Sequence, residues 1–574
     1  MNEEKIQRMI DMLREKILAA RSDEGNWRGQ LSSSAISTSV ALFALHISGK
    51  EENLPYVRNA AGWLKLTMKP DGTWGDSLES PSNMTATLLT YASLYALGEA
   101  PEQTKKYLTD KFGGYSDSHI INGVLNYYGT DRTFSAPILM MCALAGVISD
   151  WEKTPQLPFE LSVLPQRFFR FLQLPVVSYA IPALIAVGIL RFRKGKRNLF
   201  SPLRESFIPK SLKVLIRLQP NDGGFLEAAP LTAFVALCLT GAGLGDHPVT
   251  EKAMAFLKAT VRKDGSWPID TDLSNWVTTL CVKALGDDLS DKQRMTQIIR
   301  RNASAVRHPY TGAQPGGWGW SDLSGSVPDG DDTSGALVAL HTLCEGVYYD
   351  EVTNGIRWLM DLQNRDGGMP TFCKGWGKLP FDRSSADISA HAVLAMELWK
   401  DQLPEPLKRR CKESILNLLR WIVNAQSAEG SWTPLWFGDQ NASDEKSPVY
   451  GTATVVDYLS VSENPAAKMV ADKGVNYLLS AQNEDGGWGG AKGVASKATL
   501  TARALAALSS HLTEDDKALA RGVDFLYERY ITGRLLEKEP IGLYFSRLWY
   551  SEELYSPTFL LYALKRLIKS KELK

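Results

Sequence analysis

Three carboxylates crowd a single hexapeptide of this chain. PDGDDT, Pro328 to Thr333, places Asp329, Asp331 and Asp332 at what reads as the start of a helix, because the apolar run SGALVALHTL follows it directly. Carboxylates in that position ordinarily cap free N–H groups and complement the helix dipole. Three so close together cannot all ionise cheaply, so the group retains a proton and titrates collectively. In SSADISAHAVLAM (384–396), Asp387 and His391 stand at i and i+4, on one helical face. A histidine on such a helix is most often a satisfied core or surface residue, and it matters only through what it faces. Just upstream of the acids, AQPGGWGW (Ala313 to Trp320) brings aromatic residues close. An acid group, a candidate partner for it and nearby rings are the parts that proton transfer requires.

Composition narrows the setting. At 574 residues with 44% hydrophobic side chains, the chain is long enough for more than one globular core. Lys+Arg 64 against Asp+Glu 64 gives no electrostatic support for binding nucleic acid. Cys142, Cys238, Cys281, Cys344, Cys373 and Cys411 lie far apart, so neither a disulfide framework nor a zinc ribbon is indicated. The opening MNEEKIQRMIDMLREKI is amphipathic and lacks an apolar signal-peptide core, which predicts a cytoplasmic protein with reduced thiols. No apolar stretch is long enough to span a bilayer. PVVSYAIPALIAVGIL (175–190), ending in the basic run RFRKGKR (191–197), reads either as a buried core helix with a solvated loop or as a peripheral contact with an anionic membrane.

What must position the acids is a repeat. Glycine-aromatic signatures end at Trp27, Trp74, Phe225, Trp267, Trp318, Met369, Trp432 and Trp488. Helical patterns such as GIRWLMDLQ (355–363) and GVNYLLSAQ (474–482) precede them, and small-residue helices such as TLTARALAALSS (499–510) follow most of them. A period of this size means one supersecondary unit repeated, here helix, tight glycine turn, helix. Glycine supplies the turn, while the aromatic and the glutamine tie one helix to the next. Strand signals are scarce, so the fold class is all-α. A proline-rich, basic interruption near 150–210 and a seam at Gly286–Asp291 predict two α/α barrels. Residues 21–285 form one, with a membrane-facing segment near 175–210, and residues 1–20 with 286–574 form the other.

These repeats resemble the QW motifs of the squalene-hopene and oxidosqualene cyclases, the class II triterpene cyclases, and PDGDDT resembles that family's DxDDT acid motif. The likeness runs over nearly the whole chain, including WEKTPQLPFELSVLP (151–165). It implies two α/α-barrel domains, a central apolar cavity, and neither metal nor other cofactor. It also implies peripheral attachment at the inner face of the cell membrane, where an isoprenoid hydrocarbon enters, and it is compatible with a homodimer. An alkene is a very weak base, and a lone solvated carboxylic acid is ionised at neutral pH. By the resemblance, Asp331 becomes the proton donor, His391 hydrogen-bonds it, and Asp329 and Asp332 polarise it. Tyr450, in VYGTATVV (449–456), resembles a tyrosine that relays reprotonation through water, although FGDQNASDEKSP (437–448) before it is longer than the family pattern.

Matching the family's cavity aromatics are Trp320, Phe372, Trp276, Trp436, Phe545 and Trp549, with Tyr179 at a tryptophan position. Aromatic faces shield and stabilise a migrating cation at roughly 0.5–2 kcal/mol per contact. Three departures leave substrate length, ring number and membrane mode open. Gly330 replaces a bulkier residue inside the acid motif, Ile541 stands where an aromatic is expected, and the 195–220 region is short. The implied function is proton-initiated polycyclisation of a linear polyprene such as squalene.

Other readings remain at this point. A class II cyclase of a prenyl diphosphate, like drimenyl or copalyl diphosphate synthases, would use the same acid and hold the head group with Arg191–Arg197, Lys374, Lys378 and Arg383. A protein-prenyltransferase-like enzyme shares the barrel but requires a zinc site. A non-enzymatic helical scaffold gives no reason for the acids. DDLSD (287–291) fits a magnesium motif, yet it reads as a loop leading into a helix cap.

Overall fold

Each glycine-aromatic signature folds into the same joint. The indole N–H of Trp74, Trp267, Trp432 and Trp488 donates back to the preceding helix, at Leu64, Leu257, Ile422 and Leu478, over 2.7–2.9 Å. The backbone N–H of the same residue donates forward to a hydroxyl in the first turn of the next helix. The pairs are Trp74–Thr87, Phe225–Thr232, Trp318–Thr333, Met369–Ser389, Trp432–Thr452 and Trp488–Thr501, all at 2.9–3.1 Å. Gln426 donates to its own turn at Gly430 and to Val470 on the next outer helix, 2.9 Å each; Gln219, Gln363 and Gln482 repeat the pattern. The turn tolerates only glycine. Gly486 has φ +89, and a Cβ there would lie 2.5 Å from the Arg521 carbonyl.

The computed structural model describes residues 3–129, 132–164, 181–309, 312–344, 347–372, 382–513, 515–543 and 548–572. They form two compact units, residues 1–30 with 272–322 and 327–574, and residues 31–271 with 323–326. In the first unit six inner helices close a ring: Ser274–Leu285, Gly330–Cys344, Ala386–Trp399, Pro448–Leu459, Ala498–Leu508 and Tyr555–Glu572. Outer helices alternate with them, from Lys292–Arg301 to Lys517–Ile531, and the N-terminal helix Glu3–Ala19 completes the layer. The chain's first signature serves this ring, because the Trp27 N–H reaches Thr278 Oγ1 at 3.0 Å.

The second unit closes a ring of five described inner helices, Ala35–Ile47, Met84–Ala96, Arg132–Leu144, Ile181–Lys194 and Ala229–Gly241. There Trp267 N–H reaches Thr38 Oγ1, again at 3.0 Å. The only described strands are two short antiparallel pairs, Ser33–Ser34 with Trp267–Pro268 and Ile541–Leu543 with Leu548–Tyr550. The all-α expectation holds, in the form of two α/α barrels.

The apolar run near 181–190 is an inner helix of the second unit, buried from Ile181 to Phe192. Exposed apolar side chains come later, at Leu199 (96% exposed), Phe200 (70%) and Leu203 (60%). No helix among the described residues is long and apolar enough to cross a membrane.

Candidate active site

The acid helix, Gly330–Cys344, begins with a side-chain cap. Asp329 Oδ1 accepts from the backbone N–H groups of Asp331 and Asp332, both at 2.8 Å. The ordinary capping role of such a carboxylate is therefore real for Asp329. Its own N–H is held by the Trp318 carbonyl at 3.0 Å, so the repeat joint fixes where the helix starts. Gly330 N–H donates to the Thr371 carbonyl at 2.7 Å, and a Cβ on Gly330 would stand 2.9 Å from the Pro370 carbonyl. Glycine inside the acid motif thus lets the GGMPTF segment lie directly over the helix N-terminus.

Asp329 and Asp332 are 3% and 6% exposed. Burial pushes Asp329 up to about 7, and burial together with the Asp329 charge pushes Asp332 well above the usual carboxylate range. The cluster keeps a proton at neutral pH. Asp331 points another way: its Oδ1 lies 2.6 Å from His391 Nδ1, and its side chain is 24% exposed against 4% for the histidine. Burial pushes the imidazole down, toward its neutral form. Gly335 makes room for this contact, since a Cβ there would meet Trp276 at 3.4 Å and His391 at 3.6 Å.

One register of the repeat carries these groups. Two residues before the hydroxyl that receives each joint stand Trp276, Asp331, Asp387 and Tyr450; two residues after it stand His391 and Arg503. Positions four apart share a helical face, so the closed ring brings this layer to one level of the barrel interior. Asp387 is buried, accepts from Ser385 Oγ, and is raised to about 6, chiefly by burial. Tyr450 is 4% exposed and its phenol is held well above its ordinary range by the same cause.

Trp320, Phe372 and Trp436 meet edge to face, with ring centroids 5.9 Å and 4.9 Å apart. The Trp320 carbonyl accepts from Asn275 and Trp276 N–H at 2.9 and 3.2 Å, which ties this ladder to the helix carrying Trp276. Trp276 stands edge-on to His391 at 6.3 Å. Trp549 is fully buried in the short hairpin opposite Gly542, and its position alone assigns it no wall. Tyr179, Phe545, Cys373, Lys374 and Lys378 lie outside the described residues. In DDLSD each aspartate faces a cation: Asp287 pairs with Lys292, Asp288 with Lys565 and Asp291 with Arg21, at 3.1, 2.9 and 2.7 Å.

Sequence reasoning missed four residues beneath the histidine. Tyr458 stacks on His391 with centroids 4.6 Å apart. Lys283 Nζ lies 4.2 Å from the Tyr458 ring centre, and Arg503 lies 4.9 Å from the ring centre of Tyr450. Asp457 pairs with Arg566 at 3.1 Å and with Lys283 at 3.6 Å. A signal existed, because Lys283 in WVTTLCVKAL and Arg503 in LTARALAAL are lone charges in apolar helices.

Comparison with known proteins bears on the family and the fold. Residues 276–569 match the squalene-hopene cyclase C-terminal domain, and residues 10–110 match the N-terminal domain. The squalene–hopene cyclase of Zymomonas mobilis is 22% identical, covering 98% of this chain and 95% of its own length. That of Alicyclobacillus acidocaldarius is 24% identical over 79% and 78%. Enfumafungin synthase of Hormonema carpetanum is 25% identical over 89% of this chain, which spans 45% of that protein. Among solved structures, ent-copalyl diphosphate synthase from Streptomyces platensis superposes with a TM-score of 0.55 at 16% identity, covering 98% and 99% of the two chains. At that identity the likeness concerns the fold.

Proposed function

Because the chain belongs to the squalene-hopene cyclase family, we propose that it is a class II terpene cyclase in which Asp331 protonates a terminal alkene of a linear polyprene such as squalene. The observation that carries this is the 2.6 Å contact of Asp331 with His391, standing over two buried carboxyls that retain a proton. In the first step the O–H bond of Asp331 breaks and a C–H bond forms from the alkene π pair. The O–H pair stays on the Asp331 carboxylate, and the neighbouring carbon is left cationic. His391 holds that carboxylate and fixes its orientation. Ring closures then follow as each alkene attacks the cation, past the faces of Trp276, Trp320, Phe372 and Trp436. Deprotonation ends the cascade with an isomer of the substrate; capture by water ends it with an alcohol. Tyr450 stands in the acid layer, where it can pass a proton back to Asp331.

Product analysis by mass spectrometry tests this reading. Squalene, a C35 polyprene, and farnesyl and geranylgeranyl diphosphates are offered separately to purified protein without added metal, with Asp331→Asn as control. Cyclised hydrocarbon that disappears in the variant is the expected result. A cyclised diphosphate moves the assignment to prenyl diphosphate cyclases. The basic run gives that alternative little support. Arg191 is buried against the Thr154 carbonyl, Arg193 bonds the Ala242 carbonyl, and Arg197 pairs with Glu205 at 2.7 Å.

A hydrocarbon substrate reaches the protein from a lipid phase. Leu199, Phe200 and Leu203 are exposed beside Lys194, Lys196 and Arg197, a composition suited to an anionic bilayer surface. Replacing Leu199 and Phe200 by serine is expected to abolish co-sedimentation with anionic vesicles while leaving thermal stability unchanged. Undiminished sedimentation would place the membrane contact elsewhere.

A further inference from the structure

The charged groups beneath His391 do not balance. Among the described residues, Lys283, Arg503 and Arg566 share one carboxylate partner, Asp457. Arg566 bonds Asp457 at 3.1 Å, Lys283 approaches it at 3.6 Å, and the Tyr562 hydroxyl donates to both of its oxygens at 3.2 Å. Arg503 has no carboxylate of its own. It is 5% exposed, its Nε has no hydrogen-bond partner, and it lies over the rings of Tyr450, Phe559 and Tyr458 at 4.9, 5.0 and 5.8 Å. Lys283 and His391 both contact the ring of Tyr458, at 4.2 Å and 4.6 Å from its centre.

In a buried Asp–His pair the proton has two places to sit. With the proton on the imidazole, the aspartate is a carboxylate and has nothing to give an alkene. With the imidazole neutral, the proton rests on the carboxyl and is transferable. We propose that Lys283 and Arg503 are positioning residues for the acid: their positive charge opposes formation of a His391 imidazolium and keeps the ring a neutral hydrogen-bonding partner of Asp331. The same field steadies the carboxylate after the proton has gone. This rests on the cyclase reading above.

Other groups acting on His391 can be named element by element. Asp387 shares its helix; Asp331 faces it from the acid helix, whose start also carries Asp329 and Asp332; Tyr450, Asp457 and Tyr458 come from Pro448–Leu459. Lys283, Arg503, Tyr562 and Arg566 come from the three remaining inner helices. The outer helices packed against it, Asp350–Leu362 and Glu405–Ala425, bury one titratable side chain, Cys411. The nearby carboxyls favour imidazolium and the cations oppose it. Burial prevails and pushes His391 down; the Asp331 carboxylate pushes it up, and Lys283 and Arg503 add to the downward push.

The test reads the ring directly. Nitrogen-15 histidine labelling of the full chain gives seven imidazoles, and His391→Asn identifies the one required. Wild-type His391 is expected to be neutral at pH 7, with its pKa lowered by burial. Lys283→Met and Arg503→Met, made separately, are expected to raise its pKa by about one unit or more and to lower kcat at least tenfold. Lys283→Arg keeps the charge and should restore both. An imidazolium in the wild type at pH 7 would overturn the proposal, even if neither methionine variant folds. So would an unmoved His391 in both folded variants, or an equal shift in Lys283→Arg. Because the resonance needs no turnover, a wild type that makes no product sinks the cyclase reading and leaves the charge arrangement separately measurable.

Discussion

Asn83 and Asp329 hold the same place in the two barrels. Each stands four residues before the hydroxyl that receives a joint, Thr87 or Thr333, and each caps its helix by accepting from two backbone N–H groups. One cap is a neutral amide and the other an ionisable carboxyl. The difference continues inward. Inner helices Ala35–Ile47, Met84–Ala96 and Ala229–Gly241 contain no aspartate, glutamate, lysine or arginine; the register position of Asp331 is filled there by Ile36, Thr85 and Pro230, and that of His391 by Val40, Leu89 and Phe234. The repeat therefore builds a scaffold indifferent to chemistry. Function enters where one barrel places ionisable groups at these interior positions: Asp331, Asp387, His391, Tyr450 and Arg503.

Breaking the acid barrel at its donor should have the largest effect. Asp331→Asn is nearly isosteric and is expected to lower turnover at least about 10³-fold in a product assay. Thr85→Ala, at the same register of the other barrel, should leave turnover within the same order of magnitude. If the two variants behave alike, the division of labour is wrong.

Removing a joint should instead treat the barrels equally. Trp74→Ala and Trp488→Ala each delete a fully buried indole with its hydrogen bond, and each is expected to cost ~3–5 kcal/mol in denaturant unfolding. A cost confined to one barrel would show that the scaffold is not shared.

A smaller, sharper change is Gly330→Ala. Its Cβ must push away the segment carrying Thr371 and Phe372 without touching the Asp331–His391 pair. The expected result is a roughly 10–100-fold loss in kcat, with a changed product spectrum and nearly unchanged stability. Native stability with native products would remove the aromatic ladder from the cavity wall.

Least in size is a pH effect on stability. Asp329 has a folded pKa near 7 against an ordinary 3.8. It binds its proton more tightly when folded, so its contribution is greatest below about pH 4 and is lost as pH rises through about 7. Asp329→Asn keeps the cap and removes the titration. Relative to the wild type it should gain ~2 kcal/mol between pH 5 and 8. Asn83→Asp should import the same slope into the other barrel, and a flat profile there would mean that burial differs between the caps.

Much of this was legible in the chain. The glycine-aromatic turns are local, so tryptophan, glycine and glutamine can be read within some twenty residues. The acid motif was legible for the same reason, as was the structural character of DDLSD. What escaped notice was the phase of the repeat. Aligned on their joint hydroxyls, Asp331, Asp387 and Tyr450 fall at one position and His391 and Arg503 at another, but that alignment depends on knowing that Thr333, Ser389, Thr452 and Thr501 are equivalent.

By itself the sequence determined the helical class, the glycine turns and the acid cluster, because each depends on residues near one another or on a periodic pattern; the pairing of His391 with Asp331 was expected only from the family resemblance. Tertiary structure alone decided that the first tryptophan serves a helix 251 residues later. It also decided that Lys283, Asp457, Tyr458 and Arg503 converge beneath His391, and that Gly330 is demanded by a passing carbonyl. These depend on ring closure, which brings together helices whose separation along the chain carries no record of their contact. Burial then decides which of their charges survive, and burial is a property of the closed ring.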